Sequence, residues 1–322
     1  MRSTDLAELG GYFRDAGCRG WVHACPVQAA ASEGGGAGRG SASEVALDAD
    51  DRLPVASVYK LGVAAVWADL VDRGALDPVA RLRLDPADRT PGPTGVAALD
   101  DPVEMSARDV VRLMLTLSDN AAADHVLDLL GGPARVTEVL AGWGVDLVVR
   151  HGSRGTQEAA QADTGTEDHD AVMRALADIH RDVRTSQYDA ALASSASPRG
   201  LTTLLSMLWR GEIAPGEGGA HVRASLARQV WPHRLRAGFP HDDVEVAGKT
   251  GTLGVLRHEV GVVTFPGEVP VAVAVLTRSA RPEAHLPVVD AAIGRAAAAA
   301  VRPLRRQDAR RDQSPGAERG TG

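Results

Sequence analysis

The chain has 322 residues, of which 44% are apolar and 24% charged, and a formal net charge of −7. This is globular composition, enough for one large domain or two ordinary ones, and the acidic balance without a long basic block before the extreme C-terminus excludes a nucleic-acid surface. No run of 18 apolar residues occurs, and acids and glycines interrupt the first ten residues where a secretory signal would be apolar; no membrane association and a cytoplasmic location are therefore expected.

Residues 19–28 and 43–48 alternate as strands, joined by the Gly/Ser-rich stretch 32–42. Cys18 and Cys25 fall in or beside the first of these strands, roughly 23 Å apart at strand rise, which is beyond disulfide reach. They read as reduced thiols with no accompanying ligand cluster, so no metal is expected. From Ser57 the period becomes helical through Leu61, Ala64, Ala65, Val66 and Leu70, and Gly74 supplies a stop.

Residues 80–104 are rich in Pro, Gly and Asp and read as loop, and Ser106 with Asp109 then opens a helix too apolar for the surface. Helical patterns follow at 121–130, 134–142, 168–180 and 198–209, the last opened by Ser197 as N-cap and Pro198 as first residue. Strand alternation returns at 244–249, 258–265 and 270–277, with a turn at Pro266-Gly267. Residues 287–302 form an Ala-rich helix, and 303–322 read as a disordered polar tail. The expected architecture is α+β. A five-stranded antiparallel sheet flanked by helices is built from both chain ends (1–54 and 225–302), and a helical lobe (55–224) is inserted between them. The cleft between the lobes is the natural site for a small-molecule or peptide-like substrate, and a monomer is expected.

Ser57-Val58-Tyr59-Lys60 sets a hydroxyl and an ammonium on one face of a helix start, where a partly desolvated lysine can take the serine proton. Backbone N–H groups at that helix end favour a developing oxyanion. Ser118-Asp119-Asn120 ends the apolar central helix, and Lys249-Thr250-Gly251-Thr252 ends a strand. The Gly248-Lys249-Thr250 run is no phosphate loop, because that spacing needs glycine where Asp243 stands. No cofactor is expected.

The three motifs in this order, Ser-x-x-Lys, Ser-Asp-Asn and Lys-Thr-Gly, resemble the set of class A β-lactamases and penicillin-binding proteins. The resemblance covers roughly residues 17–302 and implies a class A β-lactamase-like fold and a serine hydrolase. It casts Ser57 as the acylated nucleophile, Lys60 as its proton acceptor, and Ser118 as the hydroxyl that protonates the leaving atom. Asn120 becomes a substrate-amide contact, and Asp119 a residue that holds its own loop. It further implies that Lys249 orients Ser118 and attracts a substrate carboxylate, that Thr250 hydrogen-bonds that carboxylate, and that the N–H groups of Ser57 and Thr252 form the oxyanion hole. Gly251 counts with Asn120, Thr250 and Thr252 among the substrate-binding residues, and Arg257 on the following strand is a candidate second carboxylate anchor.

Two departures stand out. Class A enzymes carry a glutamate in a Glu-x-x-Leu-Asn context that aims the deacylating water, and no such motif exists here; Glu158 is nearest to the expected place. His151, Glu158, Glu167 and His169 are the groups that could replace it. The second departure is the expected cytoplasmic location, which suggests a metabolite ester, amide or lactam rather than cell-wall substrate. The alternative to a hydrolase is an acylatable binding protein or sensor with little turnover; a dead scaffold is disfavoured by the intact motifs.

Overall fold

The computed structural model describes residues 3–27, 44–181 and 183–305. The chain opens with helix α1 (Ser3–Asp15) and strands β1 (Cys18–Pro26) and β2 (Val45–Leu47). Strand β3 (Leu53–Pro54) and a 3-10 turn at Ala56–Val58 lead into helix α2 (Tyr59–Asp72). Strands β4 (Arg81–Leu84) and β5 (Val103–Ser106) pair ahead of helices α3 (Ala107–Thr116), α4 (Asn120–Leu129) and α5 (Pro133–Gly142). Next come β6 (Leu147–Val148), α6 (Ser153–Thr164), α7 (His169–Leu176), β7 (Ser195–Ala196), α8 (Pro198–Arg210) and α9 (Glu217–Leu226). Strands β8 (Glu245–Leu253), β9 (Leu256–Thr264) and β10 (Val271–Ser279) and helix α10 (Pro287–Val301) complete the order.

The main sheet runs β2-β1-β10-β9-β8, every neighbour antiparallel. The first strand pairs with the last along its whole length, from Cys18 opposite Ser279 to Pro26 opposite Val271. Both faces are covered, so Val271 to Leu276 are buried without alternation. On one face Val22, Val273 and Val275 meet Leu9 and Phe13 of α1 and Ile293, Ala296 and Ala297 of α10. On the other, Val260, Val262, Ala272, Ala274 and Leu276 join the core built around α2, α3 and α8. Helix α2 is apolar around its circumference and is buried on all sides, as such helices must be. The α+β class expected from the sequence is observed.

The helix starts carry the expected caps. The Ser106 hydroxyl accepts from Asp109 N–H at 3.3 Å and donates to the Asp109 carboxylate at 2.6 Å, and Ser197 accepts from Gly200 N–H at 3.0 Å. Several features differ from the expectation, among them helices α6 and α9 and the strand β4 within the stretch read as loop. Helix α1 was not anticipated, because Gly10-Gly11 interrupts the stripe Leu6, Leu9 and Phe13 that packs beneath α10. Residues 303–305 pack on the fold where a tail was expected, since Leu304 is buried and Arg305 stacks on Phe265 and donates to Glu268 at 2.9 Å. Helix α7 stops at Leu176, before residue 180. The stretch 32–42 and the segment from 306 onward lie outside the described residues. Among those described, no helix is long and apolar enough to cross a membrane.

Candidate active site

Ser57 sits in the 3-10 turn between β3 and α2, and three contacts fix that turn against the sheet. His258 on β9 donates from Nε2 to the Pro54 carbonyl at 3.0 Å and accepts Thr277 N–H on Nδ1 at 3.1 Å. Burial holds this imidazole neutral, its pKa depressed to about 3, which suits one nitrogen donating and the other accepting. Val55 N–H donates to the Ser194 carbonyl at 3.0 Å. Strand β8 then passes so close that a Cβ on Gly251 would lie 2.6 Å from the Val55 carbonyl oxygen. Glycine is required there, and it lets β8 run directly against the turn that carries Ser57.

Lys60, one residue into α2, is fully buried, and its Nζ donates to the Ser118 carbonyl at 2.7 Å, the Asp119 carbonyl at 3.3 Å and Asn120 Oδ1 at 2.9 Å. Burial lowers its pKa to about 8, against the opposing pull of Asp119 and Asp124. Ser118 has a left-handed backbone (φ 60°), unusual for serine and a form of strain that clusters at working sites. That conformation turns its carbonyl to Lys60 while its hydroxyl receives the Lys249 ammonium at 2.9 Å. Lys249 is also fully buried and donates to the Thr250 carbonyl at 2.8 Å. Desolvation, and then the charge of Lys60, push its pKa well below the ordinary lysine value. Asp119 caps α4 through Ala122 N–H at 3.1 Å and takes Val96 N–H at 2.6 Å, so it does hold its own loop.

These groups open on a cleft of about 770 Å³ lined by Ser57, Ser118, Asn120, Thr250, Thr252 and Arg257, among others. All the residues nominated from the motifs converge there, with Lys60 and Lys249 entering through Ser118 and Gly251 lying behind. Arg257 is buried rather than solvated. Its guanidinium donates to the carbonyls of Gly254, Leu256, Glu283 and Ala284, the last three at 2.9, 3.2 and 3.1 Å.

Three residues of the site have no local sequence signal. Arg234 is buried at the cleft wall and paired to Asp290 at 2.6 Å; it donates to Thr252 Oγ1 at 2.8 Å and to the carbonyls of Gly251 and His258 at 3.1 and 2.9 Å. Gln229 accepts both Thr250 N–H and Thr250 O–H on Oε1, each at 2.9 Å, and donates from Nε2 to Glu259 at 2.7 Å. Glu259 is fully enclosed, which raises its pKa to about 7, and it also accepts Leu235 N–H at 2.7 Å.

The segment where the deacylating glutamate is missing folds as α6. Asp124 pins its start by accepting Ser153 N–H at 2.7 Å, Arg154 N–H at 2.8 Å and the Thr90 hydroxyl, and Tyr59 links it to α2 through the Ser153 hydroxyl at 3.0 Å. Ser153, Thr156, Gln157 and Ala160 line the cleft at helical spacing, so the face toward the substrate carries no carboxylate. Glu158 and Glu167 are exposed, and of the four candidate replacement bases only His169 lines the cleft.

Residues 38–304 match the model of the beta-lactamase enzyme family. The chain belongs to that family. This β-lactamase-like serine hydrolase is 32% identical over 270 residues to the β-lactamase regulatory protein BlaB of Streptomyces cacaoi, covering 79% of this chain and 86% of that protein. It is 29% identical over 256 residues to a β-lactamase of Streptomyces albus G, covering 76% and 71% of the two chains. A β-lactamase of Chitinophaga pinensis shares its fold with a TM-score of 0.74 at 18% identity, over 92% of this chain and 98% of that one.

Proposed function

We propose that this family member acylates Ser57 with a carboxylate-bearing lactam, amide or ester and releases the acyl group slowly. The observation that carries the reading is the convergence of two buried lysines on one serine: Lys60 on the Ser118 carbonyl and Lys249 on its hydroxyl. Burial lowers the proton affinity of both lysines and the charge of Lys60 lowers that of Lys249 further, which gives Lys60 a neutral minority at pH 7 and leaves a site that favours an anion.

The steps follow from that pair. Ser57 Oγ bonds to the acyl carbon as its proton passes to the neutral Lys60 amine, and the carbonyl oxygen becomes an oxyanion between the N–H groups of Ser57 and Thr252. Collapse breaks the acyl–nitrogen or acyl–oxygen bond; the leaving atom takes the Ser118 proton, and Lys249 returns one to Ser118. The substrate carboxylate is drawn by Lys249 and by Arg234, which donates to Thr252 Oγ1 at 2.8 Å. The cleft lies where the sheet lobe (1–54 and 225–302) faces the helical lobe (55–224), and the two free thiols Cys18 and Cys25 fit a reducing, cytoplasmic setting.

Slow release is supported by α6, which faces the cleft with an amide and hydroxyls instead of a carboxylate. The same observation, together with 32% identity to a regulatory protein, favours a second reading in which the acylated protein is a signal and turnover is incidental.

A pH series tests the proposal. With Lys60 as base at a pKa of about 8, only the minority neutral form works at pH 7. Labelling of Ser57 by a fluorophosphonate or activated ester should therefore rise about tenfold from pH 7 to 9 and then level off, as for a base titrating near 8. A profile flat across this range, measured by intact mass and peptide mapping, would remove Lys60 as base.

A further inference from the structure

We propose that a groove separate from the catalytic cleft binds a small multivalent oxyanion, one carrying two or more phosphate or carboxylate groups, between Arg14 and Arg278. This site goes beyond the acyl-transfer reading and does not depend on it. The groove is a cavity of about 770 Å³ where the start of β1 meets the end of β10, and no residue lines both it and the cleft. Trp21, Leu53, Pro54 and Leu256 give it an apolar wall. Pro54 thus faces this groove, while Ser57, three residues on, faces the cleft.

The charges in the groove run against the balance of the whole chain. The net charge is −7, yet Arg14, Arg19, Arg52 and Arg278 line this cavity against one carboxylate, Asp189, which turns Oδ1 to the Ala191 N–H at 2.8 Å. Arg19 is answered by Asp48 at 3.1 Å and Asp51 at 3.3 Å, and Arg52 by Asp146. Among the described residues, Arg14 and Arg278 have no carboxylate partner. The sheet register makes this costly. Arg19 and Arg278 stand directly opposite on β1 and β10, hence on one face of the sheet, where like charges destabilise the pair. An anion at Arg278 relieves that repulsion.

Arg278 is also prepared to receive one. Its guanidinium lies over the Tyr188 ring, 5.4 Å from the centroid, an attraction that uses none of its five N–H donors. Tyr188 is itself fixed, because its hydroxyl accepts Val255 N–H at 3.2 Å and lies so close to Gly254 that a Cβ there would overlap it. Arg278, Tyr188 and Ser279 line an adjoining cavity of about 910 Å³ as well, so Arg278 stands where two openings meet. A guanidinium offers a planar fork that matches phosphate or carboxylate oxygens in pairs. Two such groups on one cavity of small-molecule size select an anion with at least two charged groups.

Calorimetric titration of the full chain with pyrophosphate and with citrate, at an ionic strength matched with sodium chloride, tests the site. At least one of the two should bind the parent with a Kd below about 10 mM. Arg278→Gln should weaken that binding about tenfold or more, through the loss of charge-assisted hydrogen bonds. Arg14→Gln, in the last turn of α1, should weaken it about threefold. Lys249→Met, which alters the cleft, should leave it within about twofold. The bound anion should raise the melting temperature of the parent and not that of Arg278→Gln, which by itself should melt no lower than the parent because the opposed charges are gone. No binding of either anion, an affinity unchanged in Arg278→Gln, or an affinity lost in Lys249→Met instead would each overturn the proposal.

Discussion

Ser57→Ala is expected to abolish both covalent labelling and turnover while leaving the melting temperature within a few degrees of the parent. The side chain is only half-buried and sits in a 3-10 turn held by the Ser194 carbonyl and the His258 imidazole, neither of which touches the Ser57 side chain, so a smaller residue leaves that frame intact. The loss of the nucleophile should reduce rates to those of a site that binds and polarises without forming a bond, a drop on the order of 10³-fold or more. An adduct that persists in this variant, at any residue of the cleft, would take Ser57 out of the mechanism.

Lys249→Ala should lower kcat/KM for a carboxylate-bearing substrate by about 10²–10⁴-fold, the range for a charge-stabilising group in a water-poor site. Lys249 holds the Ser118 hydroxyl at 2.9 Å, and on the proposed function it would also contribute positive charge to the carboxylate of the substrate. A neutral ester loses only the first contribution and should suffer less. The methionine variant at the same position, which keeps the buried volume, guards against misreading a packing defect as a catalytic one. Kinetics equal to the parent in both variants would refute the role.

The chemistry of the site was legible because three short motifs each lie on a local structural boundary: Ser57 and Lys60 at a helix start, Ser118 to Asn120 between two helices, and Lys249 to Thr252 on a strand. Their convergence is a matter of topology, which the alternating strands at both chain ends already implied. Arg234, Gln229 and Glu259 were not legible, because they act across distance. Gln229 and Arg234 lie in the connection between α9 and β8, and Glu259 on β9 reads as an inward-facing residue of an apolar strand, where a carboxylate gives no hint that an amide awaits it. Helix α6 was missed for a different reason. Its buried positions are Ser153, Ala160 and Thr164, so it has no apolar stripe for periodicity to find, and it is held by Asp124 capping and packing on its neighbours. Arg257 lines the cleft, but its guanidinium faces four carbonyls, an engagement that sequence spacing does not encode.

The separation of acylation from deacylation is the central claim, and it turns on the polar but uncharged face that α6 presents. The proposed acylation would draw on Ser57, Lys60, Ser118 and Lys249, which the structure brings together at the cleft. Hydrolysis of a hindered acyl-enzyme needs a base that holds water against the ester, and among the described residues of 150–196 only His169 brings a titratable side chain to the cleft. A β-lactam, whose leaving group stays tethered, should suffer most; a simple ester, whose leaving group departs, should turn over more readily.

The most direct measurement is a stopped-flow and intact-mass time course with a chromogenic cephalosporin in excess. A burst of one equivalent is expected, with a mass adduct that maps to the Ser57 peptide and a slow phase well below typical enzymatic turnover. Steady turnover near about 10 s⁻¹, without a burst and without an accumulating adduct, would contradict it and would mean that His169 or another group of this segment aims water as efficiently as a carboxylate.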